Sequence, residues 1–381
     1  NIRIRNTTLT LLNRANANEK PLVLKNVQFN AADIDSIYTG TDLMELLAKS
    51  KWNFKADGIS FLSKDKVYKI DVGAFELDKI KQSIKINNAT VTPTMSEAAF
   101  VSSLKFQKDL FNVQLKNIYF TGVDLKSLLD KKSLIADALV LEPVIKVFND
   151  KTVALDTASK MGEYPYQSMM KMPTQFYIKN VKVKNGYVSY RERGALSKNI
   201  GDVFFSNVNG SISNITNIAS YLNQQPMMEV NVTTKFLNMA AVSSQWKMPL
   251  NATDGAFIIT GKVGSFNGTK LNPIIEPLGM GSVKSGNISS FNFSLKGNDL
   301  KAVGDAVLLY NDLNIKLLKN KEEEIKNKNV TSFLANILIK DQNPTNGNIR
   351  TGKIAFDRVM TKSFFNIVWK SIFDGAKKSL R

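Results

Sequence analysis

The segment VQLKNIYFTGVDLKSLL, residues 113–129, carries the pattern that decides the fold. Val113 and Leu115 alternate with polar residues, which is the period of a strand with one apolar face. After Asp124, leucines recur every three to four residues, which is the period of a helix, and Asp is a residue type that caps helix N-termini. The segment therefore predicts a strand, a turn and a short helix.

The same unit occurs twice more. It is present upstream in LVLKNVQFNAADIDSI, residues 22–37, and more faintly downstream in VFFSNVNGSISNITNI, residues 203–218. Each copy places an Asn after the apolar alternation and an Asp or Asn seven residues later. The aligned residues are Asn26, Asn117 and Asn207, followed by Asp33, Asp124 and Asn214. Their shared order predicts strands built on one plan, each followed by a short helix.

A second Asn interrupts an apolar alternation ahead of each copy, at Asn6, Asn88 and Asn185. Asn tolerates the left-handed backbone conformation better than most residues do. We therefore expect a β-bulge or a tight bend at these positions.

Strand periodicity dominates the rest of the chain. Asn-Gly and Asp-Gly pairs at residues 185–186, 209–210 and 254–255 are typical of tight turns between strands. A mainly antiparallel β protein with a few short helices is predicted. It divides at a soft boundary, without a true linker, into an N-terminal part of residues 1–160 and a C-terminal part of residues 161–381.

Many successive strands would share one apolar face, and that face needs a cover or an occupant. In a sandwich a second sheet covers it. In a long, curled and unclosed sheet, the apolar concavity remains open to a ligand. Alternation alone does not separate these two architectures.

Composition restricts the chemistry. The 381 residues include no Cys and no His, which removes thiol nucleophiles, imidazole bases and the usual zinc ligands. No phosphate-binding glycine motif is present, so we predict no enzyme activity, no cofactor and no metal site. The net charge is +18, but the basic residues alternate with apolar ones, as on the outer face of a sheet. Nucleic acid is therefore not an expected partner, whereas an anionic membrane surface is.

The C-terminal third resembles the closing strands of AsmA-like envelope proteins, and the version seen in Bacteroidetes is the most similar. The resemblance rests on FNFSLKGNDLKAVGDAVLLYNDLNIKLL, residues 291–318, with TSFLANILI, residues 331–339, GKIAFDR, residues 352–358, and KSFFNIVWKSIFDG, residues 362–375. Residues 115–125 and 183–190 resemble recurring strands in the middle of these proteins.

This resemblance implies a bridge-like open β-groove (a β-taco) with a lipid-lining interior. It also implies a location in the periplasm of a Gram-negative bacterium and a role in moving phospholipids towards the outer membrane. Members of this family are anchored in the inner membrane by an N-terminal helix. The given sequence has no such helix, and we expect the anchor to lie outside it.

The candidate groove-lining residues are the apolar members of the alternating stretches. They are Leu22, Leu24, Tyr68, Ile70, Val72, Val113, Leu115, Val181, Val183, Val203, Phe205, Phe291, Phe293, Leu295, Leu313, Ile315 and Leu317.

The tail, residues 361–381, predicts an amphipathic helix, because aromatic and aliphatic residues recur at helical spacing among lysines. Such a helix could lie on a membrane, close the end of the groove or simply pack on the last strands. The residues expected to contact a membrane or the groove end are Phe364, Phe365, Trp369 and Phe373.

The sequence thus supports a lipid-binding and lipid-transfer protein that serves outer-membrane biogenesis. Its expected partners are a phospholipid or another acyl-chain lipid, a membrane surface and another envelope protein. The alternative is a non-enzymatic structural or adhesive envelope protein that binds only protein partners. The two differ in whether the apolar strand face is covered from within.

Overall fold

The computed structural model describes residues 1–12, 21–34, 45, 47, 49–195, 197–277, 281–316 and 340–381. Its strands all belong to one sheet. They are β1 Ile2–Leu11, β2 Leu22–Ala32, β3 Lys51–Ala56, β4 Ile59–Leu62, β5 Tyr68–Val72, β6 Phe75–Asp78, β7 Ser83–Pro93, β8 Leu110–Thr121, β9 Leu134–Asp150, β10 Phe176–Arg193, β11 Ile200–Thr216, β12 Met227–Phe236, β13 Ala240–Pro249, β14 Phe257–Val263, β15 Phe266–Asn267, β16 Ser282–Gly297, β17 Lys301–Lys316 and β18 Gly352–Asp357. The helices are α1 Glu97–Ser102, α2 Leu125–Lys131, α3 Pro165–Met170, α4 Ala219–Gln224, α5 Asn272–Ile275 and α6 Phe364–Ser379.

The strands follow one another through the sheet almost in chain order. Antiparallel pairing joins β1 to β2, β2 to β3, and so on along the sheet. Strands β3 and β4, β5 and β6, and β14 and β15 are successive pieces on shared ladder positions. The 18 strands therefore occupy fewer positions than their number suggests, and the sheet extends roughly 70 Å across its strands at ~4.8 Å per position.

One pairing departs from the antiparallel pattern. Strand β10 runs parallel to β9, with Phe176 opposite Leu134 and Arg193 opposite Asp150. The chain must therefore return along the full strand length, and residues 151–175 form this crossover. The prediction of a mainly β protein with one unclosed sheet, a few short helices and a C-terminal helix is confirmed, and the sheet is mixed. The boundary predicted between residues 160 and 161 lies inside the crossover, and the sheet continues across it.

The asparagines of the repeated unit form a series of bulges. Five of them adopt left-handed backbone angles with φ between 49° and 52°: Asn6, Asn26, Asn117, Asn185 and Asn207. The strand register shifts next to these residues, as expected for β-bulges. Asn88 is an exception, because it pairs regularly with Lys116 and is not left-handed.

The predicted helix caps differ among the three copies. Asp124 caps α2, accepting hydrogen bonds from the Ser127 backbone N–H at 3.0 Å and the Ser127 hydroxyl at 2.6 Å. Asn214 does not cap a helix, because Ile215 continues strand β11 opposite Ile178 and α4 begins only at Ala219. The helix predicted after Asp33 falls on residues outside the described part of the chain.

Helix α6 packs against the last two strands, β17 and β18. Its bounds lie within the predicted tail of residues 361–381, and Ile367, Val368 and Gly375 form its buried side. A Cβ atom on Gly375 would lie 2.6 Å from the Cβ of Ala306, so glycine permits the helix to approach β17 closely.

Several contacts show that the sheet curls. The Lys160 amide in the crossover donates to the Met360 carbonyl oxygen at 2.8 Å, although Met360 follows the last strand. The Lys362 ammonium lies 3.3 Å from the Gln107 side-chain oxygen, just ahead of β8. Segments adjoining β8 and β9 therefore meet segments adjoining β18, which a flat sheet would hold far apart.

Candidate functional site

The sheet has an inward face, defined here as the face that carries Val183, Gly210, Val232, Ser244, Gly261 and Phe293. These residues are successive ladder partners from β10 to β16, and directly paired residues project to the same side of a sheet. The same argument extends in both directions through the bulges. Helix α6 contacts this side through Ile354 and Ala306.

The register places the predicted lining residues on the inward face. Val113 and Leu115 of β8 pair with Ile145 and Pro143 of β9, and the register continues from β9 to β10. The residues placed on this face are Leu22, Leu24, Tyr68, Ile70, Val72, Val113, Leu115, Val181, Val183, Val203, Phe205, Phe291, Phe293 and Leu295. Leu313 and Ile315 pack with Val283 and Ile288 in a separate cluster, and Leu317 lies outside the described residues.

No second sheet covers this face within the described ranges, since every described strand belongs to the same sheet. Most of the candidate lining side chains are half-buried, whereas Leu24, Val181 and Leu295 are buried. Protein covers the face only locally. Leu125 of α2 packs near Trp52, and α3 and α6 cover the region around Phe257.

A depression crosses the middle of the inward face. We call the row Val183–Gly210–Val232–Ser244–Gly261–Phe293 the lane. Three of its six members are glycine or serine, and the neighbouring rows carry larger residues such as Ile212 and Trp246. A cavity of about 850 Å³ lies along the lane, and all six lane residues contribute to its walls. This volume is within the range of small-molecule sites.

The lane runs across the strands, in the long direction of the groove. Its six residues lie on six successive ladder positions, so it is roughly 24 Å long at ~4.8 Å per strand spacing. One leaflet of a bilayer has a hydrocarbon depth of roughly 15 Å, half of the ~30 Å core. The Phe293 ring lies over Gly261, so an acyl chain could lie in the part of the lane from Val183 to Ser244.

Aromatic residues on α6 line the space opposite the sheet. Phe365 is 61% exposed and Trp369 is 45% exposed, and the rings of Trp369 and Phe373 stack. The centroid of the Phe365 ring lies 6.4 Å from that of Trp246 on β13. These three aromatics thus remain available for contact. Phe364 differs, because it is only 3% exposed and packs against Tyr164 and Phe257. It presents no surface to a membrane, and its predicted contact with the groove end stays a prediction.

The crossover closes the inward face near the start of β14. The Tyr164 ring is fully buried, and its hydroxyl donates to the Asn298 carbonyl oxygen at 2.9 Å. Burial raises the pKa of Tyr164 to about 12. Arg358 stacks over the Tyr164 ring, with 4.3 Å between the guanidinium carbon and the ring centroid. This aromatic cluster seals one side of the groove.

A charged group lies elsewhere on the inward face. We call Lys151, Lys160, Lys362 and Lys370 the lysine cluster. Lys151 and Lys160 lie in the crossover, Lys362 precedes α6 and Lys370 lies on α6. The charges of Lys151 and Glu192 act on both Lys362 and Lys370, and those of Lys160, Lys362 and Glu192 act on Asp109. Lys151 forms an ion pair with Glu192, and Asp109 accepts a hydrogen bond from Asn149 at 2.8 Å.

Burial dominates the electrostatics of this group. It lowers the pKa of Lys362 and of Lys370, and the charge of Lys151 lowers both further. Burial also raises the pKa of Asp109 and, together with the charge of Asp109, that of Tyr190. Sequence analysis did not find this group, because its members are scattered along the chain and only the curl of the sheet brings them together.

Comparison of the chain with protein-family models, curated proteins and solved structures gives no match. Among the described residues, no three acidic side chains gather as they would around a metal ion. None of the described helices is long and apolar enough to cross a membrane.

Proposed function

We propose that this chain is a lipid-transfer protein that carries phospholipids, or other acyl-chain lipids, along the open inward face of its sheet. The observation that supports this most directly is the lane, a depression with Val183, Val232 and Phe293 in its walls, on a sheet face that no second sheet covers within the described residues. The AsmA-like resemblance supports a place in the periplasm, between the inner and outer membranes. In this proposal the protein serves outer-membrane biogenesis.

The physical basis is the cost of exposing an acyl chain to water. This cost is about 0.8 kcal/mol for each methylene group, so a continuous apolar surface lowers the barrier to leaving a bilayer. A travelling lipid also needs walls without strong local traps. Half-buried valine, leucine and phenylalanine side chains on the inward face provide such walls.

The size of the sheet bears on how transfer proceeds. An extent of roughly 70 Å across the strands is a substantial conduit but a short one for crossing an envelope unaided. We therefore expect a further segment, a partner protein or a shuttling mode to complete the path. The exposed Phe365 and Trp369 are candidates for contact with the donor membrane.

A charge in the lane tests the proposal. Phe293→Glu places a carboxylate on the wall of the cavity, and Ser294→Glu is the matched control, because Ser294 is the next residue on β16 and is exposed. We expect Phe293→Glu to lose co-purified lipid in native mass spectrometry and to stop transferring fluorescent phospholipid between vesicles. Ser294→Glu should retain both properties.

Circular dichroism should show that both variants are folded. Unchanged lipid content in a folded Phe293→Glu protein would contradict the conduit. Wild-type protein that binds no lipid at all would instead support the structural or adhesive alternative.

A further inference from the structure

We propose that the lysine cluster binds the phosphate group of a lipid headgroup while the acyl chains lie on the inward face. This inference rests on the proposed function, and it adds a chemical class of headgroup to it.

The segments that carry the lysine cluster converge in the fold. The Lys362 ammonium contacts the Gln107 side-chain oxygen at 3.3 Å, and the Gln107 side-chain amide donates to the Val153 carbonyl oxygen at 2.9 Å. The backbone of Lys160 is held against Met360, two residues before Lys362. The crossover, the start of α6 and the segment ahead of β8 are thereby fixed together, which places their lysines around one space.

The lysine cluster brings positive charges close together. Among the described residues, the carboxylates of Glu192 and Asp109 act on these lysines, and Glu192 pairs with Lys151. Burial disfavours the charged forms of Lys362 and Lys370, and the positive charge of Lys151 disfavours them further. A phosphate would offset this repulsion and would accept charge-assisted hydrogen bonds.

The lysine cluster is accessible to solvent and adjoins the apolar surface of the inward face. The Lys151 side chain is 41% exposed, and Tyr190 is 37% exposed. Tyr190 and Glu192 lie on the same face of β10 as Val188, and Val188 pairs with Phe205. Glu192 is about 13 Å along the strand from Val188 at ~3.3 Å per residue, which is close to the ~15 Å depth of one leaflet. A lipid held at the cluster would therefore lay its chains over Val188 and Phe205.

The test compares two lipids with identical acyl chains, phosphatidylglycerol and diacylglycerol, of which only the first carries phosphate. We expect the wild-type chain to bind phosphatidylglycerol roughly tenfold or more tightly than diacylglycerol, because one charge-assisted hydrogen bond contributes a ratio of dissociation constants of about that size. In the double variant Lys362→Gln with Lys370→Gln this ratio should fall towards one. Lys362→Arg with Lys370→Arg should keep it, because the charge is retained.

The matched control is Lys85→Gln with Lys116→Gln, which removes two exposed lysines from β7 and β8. It changes the net charge equally and should leave the ratio unchanged. Melting temperatures confirm that all variants are folded. Because burial penalises the charged forms of Lys362 and Lys370, we expect their neutral replacements to fold.

The outcomes separate this inference from the proposed function. If wild-type protein binds both lipids equally, or if the double variant keeps the preference, the headgroup site is wrong and the conduit stands. If neither lipid binds, the proposed function fails as well. If inorganic phosphate binds tightly in calorimetry and added lipid does not compete with it, the cluster is a site for free phosphate and the headgroup assignment is overturned.

Discussion

Arg358 and Asp299 form an ion pair whose side chains are 1% and 8% exposed. The Arg358 guanidinium also donates to the Lys160 carbonyl oxygen, and the Gln167 amide donates to Asp299 at 2.7 Å. The pair thus joins the end of β18, the start of β17 and the crossover.

Removal of this guanidinium is expected to lower the free energy of unfolding. Arg358→Ala leaves the carboxylate of Asp299 buried without its cation, and breaking a buried pair in this way costs about 3–5 kcal/mol. Urea denaturation followed by tryptophan fluorescence measures the loss.

The matched control is Lys353→Ala, which breaks the pair between Lys353 and Asp305 on the same strands. That pair is 2.6 Å long but is 79% and 52% exposed, so its loss should cost about 1 kcal/mol or less. Equal losses of unfolding free energy in the two variants would contradict the larger contribution expected of the buried pair.

At this scale, some features were predictable and others were not. The bulges at Asn6 and Asn185 were predicted, because tolerance of left-handed backbone is a property of the residue itself, whereas those at Asn26, Asn117 and Asn207 were not. Asn88 shows the limit, since a regular partner strand keeps it extended. The partner of Arg358 could not be predicted, because it depends on a contact between residues 59 positions apart in the chain.

Among the elements, α6 approaches the sheet through its small residues. Gly375 lies against Ala306 and Ile354, and Ser379 donates its hydroxyl to the Ala306 carbonyl oxygen at 2.9 Å. Gly352 of β18 also lies against the helix backbone. The close approach leaves the opposite side of α6, with Phe365 and Trp369, facing away from its strands.

Gly375→Ala should therefore destabilise the protein, although the same change usually stabilises an exposed helix by roughly 0.5–1 kcal/mol. The new Cβ would lie 2.6 Å from the Ala306 Cβ and 2.7 Å from Ile354 Cγ1. Overpacking of this kind costs about 1–3 kcal/mol, and a lower melting temperature would reveal it.

Gly264→Ala is the control, because its Cβ would approach no atom closer than 3.5 Å. It should change the melting temperature little. A Gly375→Ala variant as stable as the wild type would mean that α6 can move away from β17 without loss.

The spacing of apolar residues predicted an element correctly where the whole segment lies in one structural environment. The alternation around Val113 and Leu115 gave β8, and the cap at Asp124 gave α2. The helix expected around Ile215 was wrong, because apolar residues at a spacing of three can also continue a strand that has a partner on each side. Local pattern does not reveal that partner.

The curl of the whole sheet creates the candidate site. It brings Lys362 near Asp109 and Glu192, and it turns the lane towards the inside of the groove. In the part of the chain that the structure describes, the same topology leaves the inward face without a covering sheet, because hairpins add strands to one sheet instead of building a second. Sequence alternation identified the apolar face but did not exclude a sandwich, since a sandwich and an open groove need the same period.

The two edges of the sheet differ in protection. Strand β1 pairs with β2, and nine of its ten residues are exposed, including Leu9 at 40% and Leu11 at 48%. Strand β18 is shorter, but α6 packs against it, and Gly352 and Ile354 are buried. A long exposed edge is a site at which another strand can add.

Hydrogen exchange followed by mass spectrometry should therefore show fast exchange in β1 and slow exchange in β18, despite the greater length of β1. Opening of β1 exposes few buried contacts, whereas opening of β18 requires α6 to separate from the sheet. The control is β13, a strand of similar length paired on both sides, which should exchange slowly. If β1 is as protected as β13 and the protection falls on dilution, the edge is covered by a second copy of the chain. Protection that is independent of concentration would contradict the exposed edge itself.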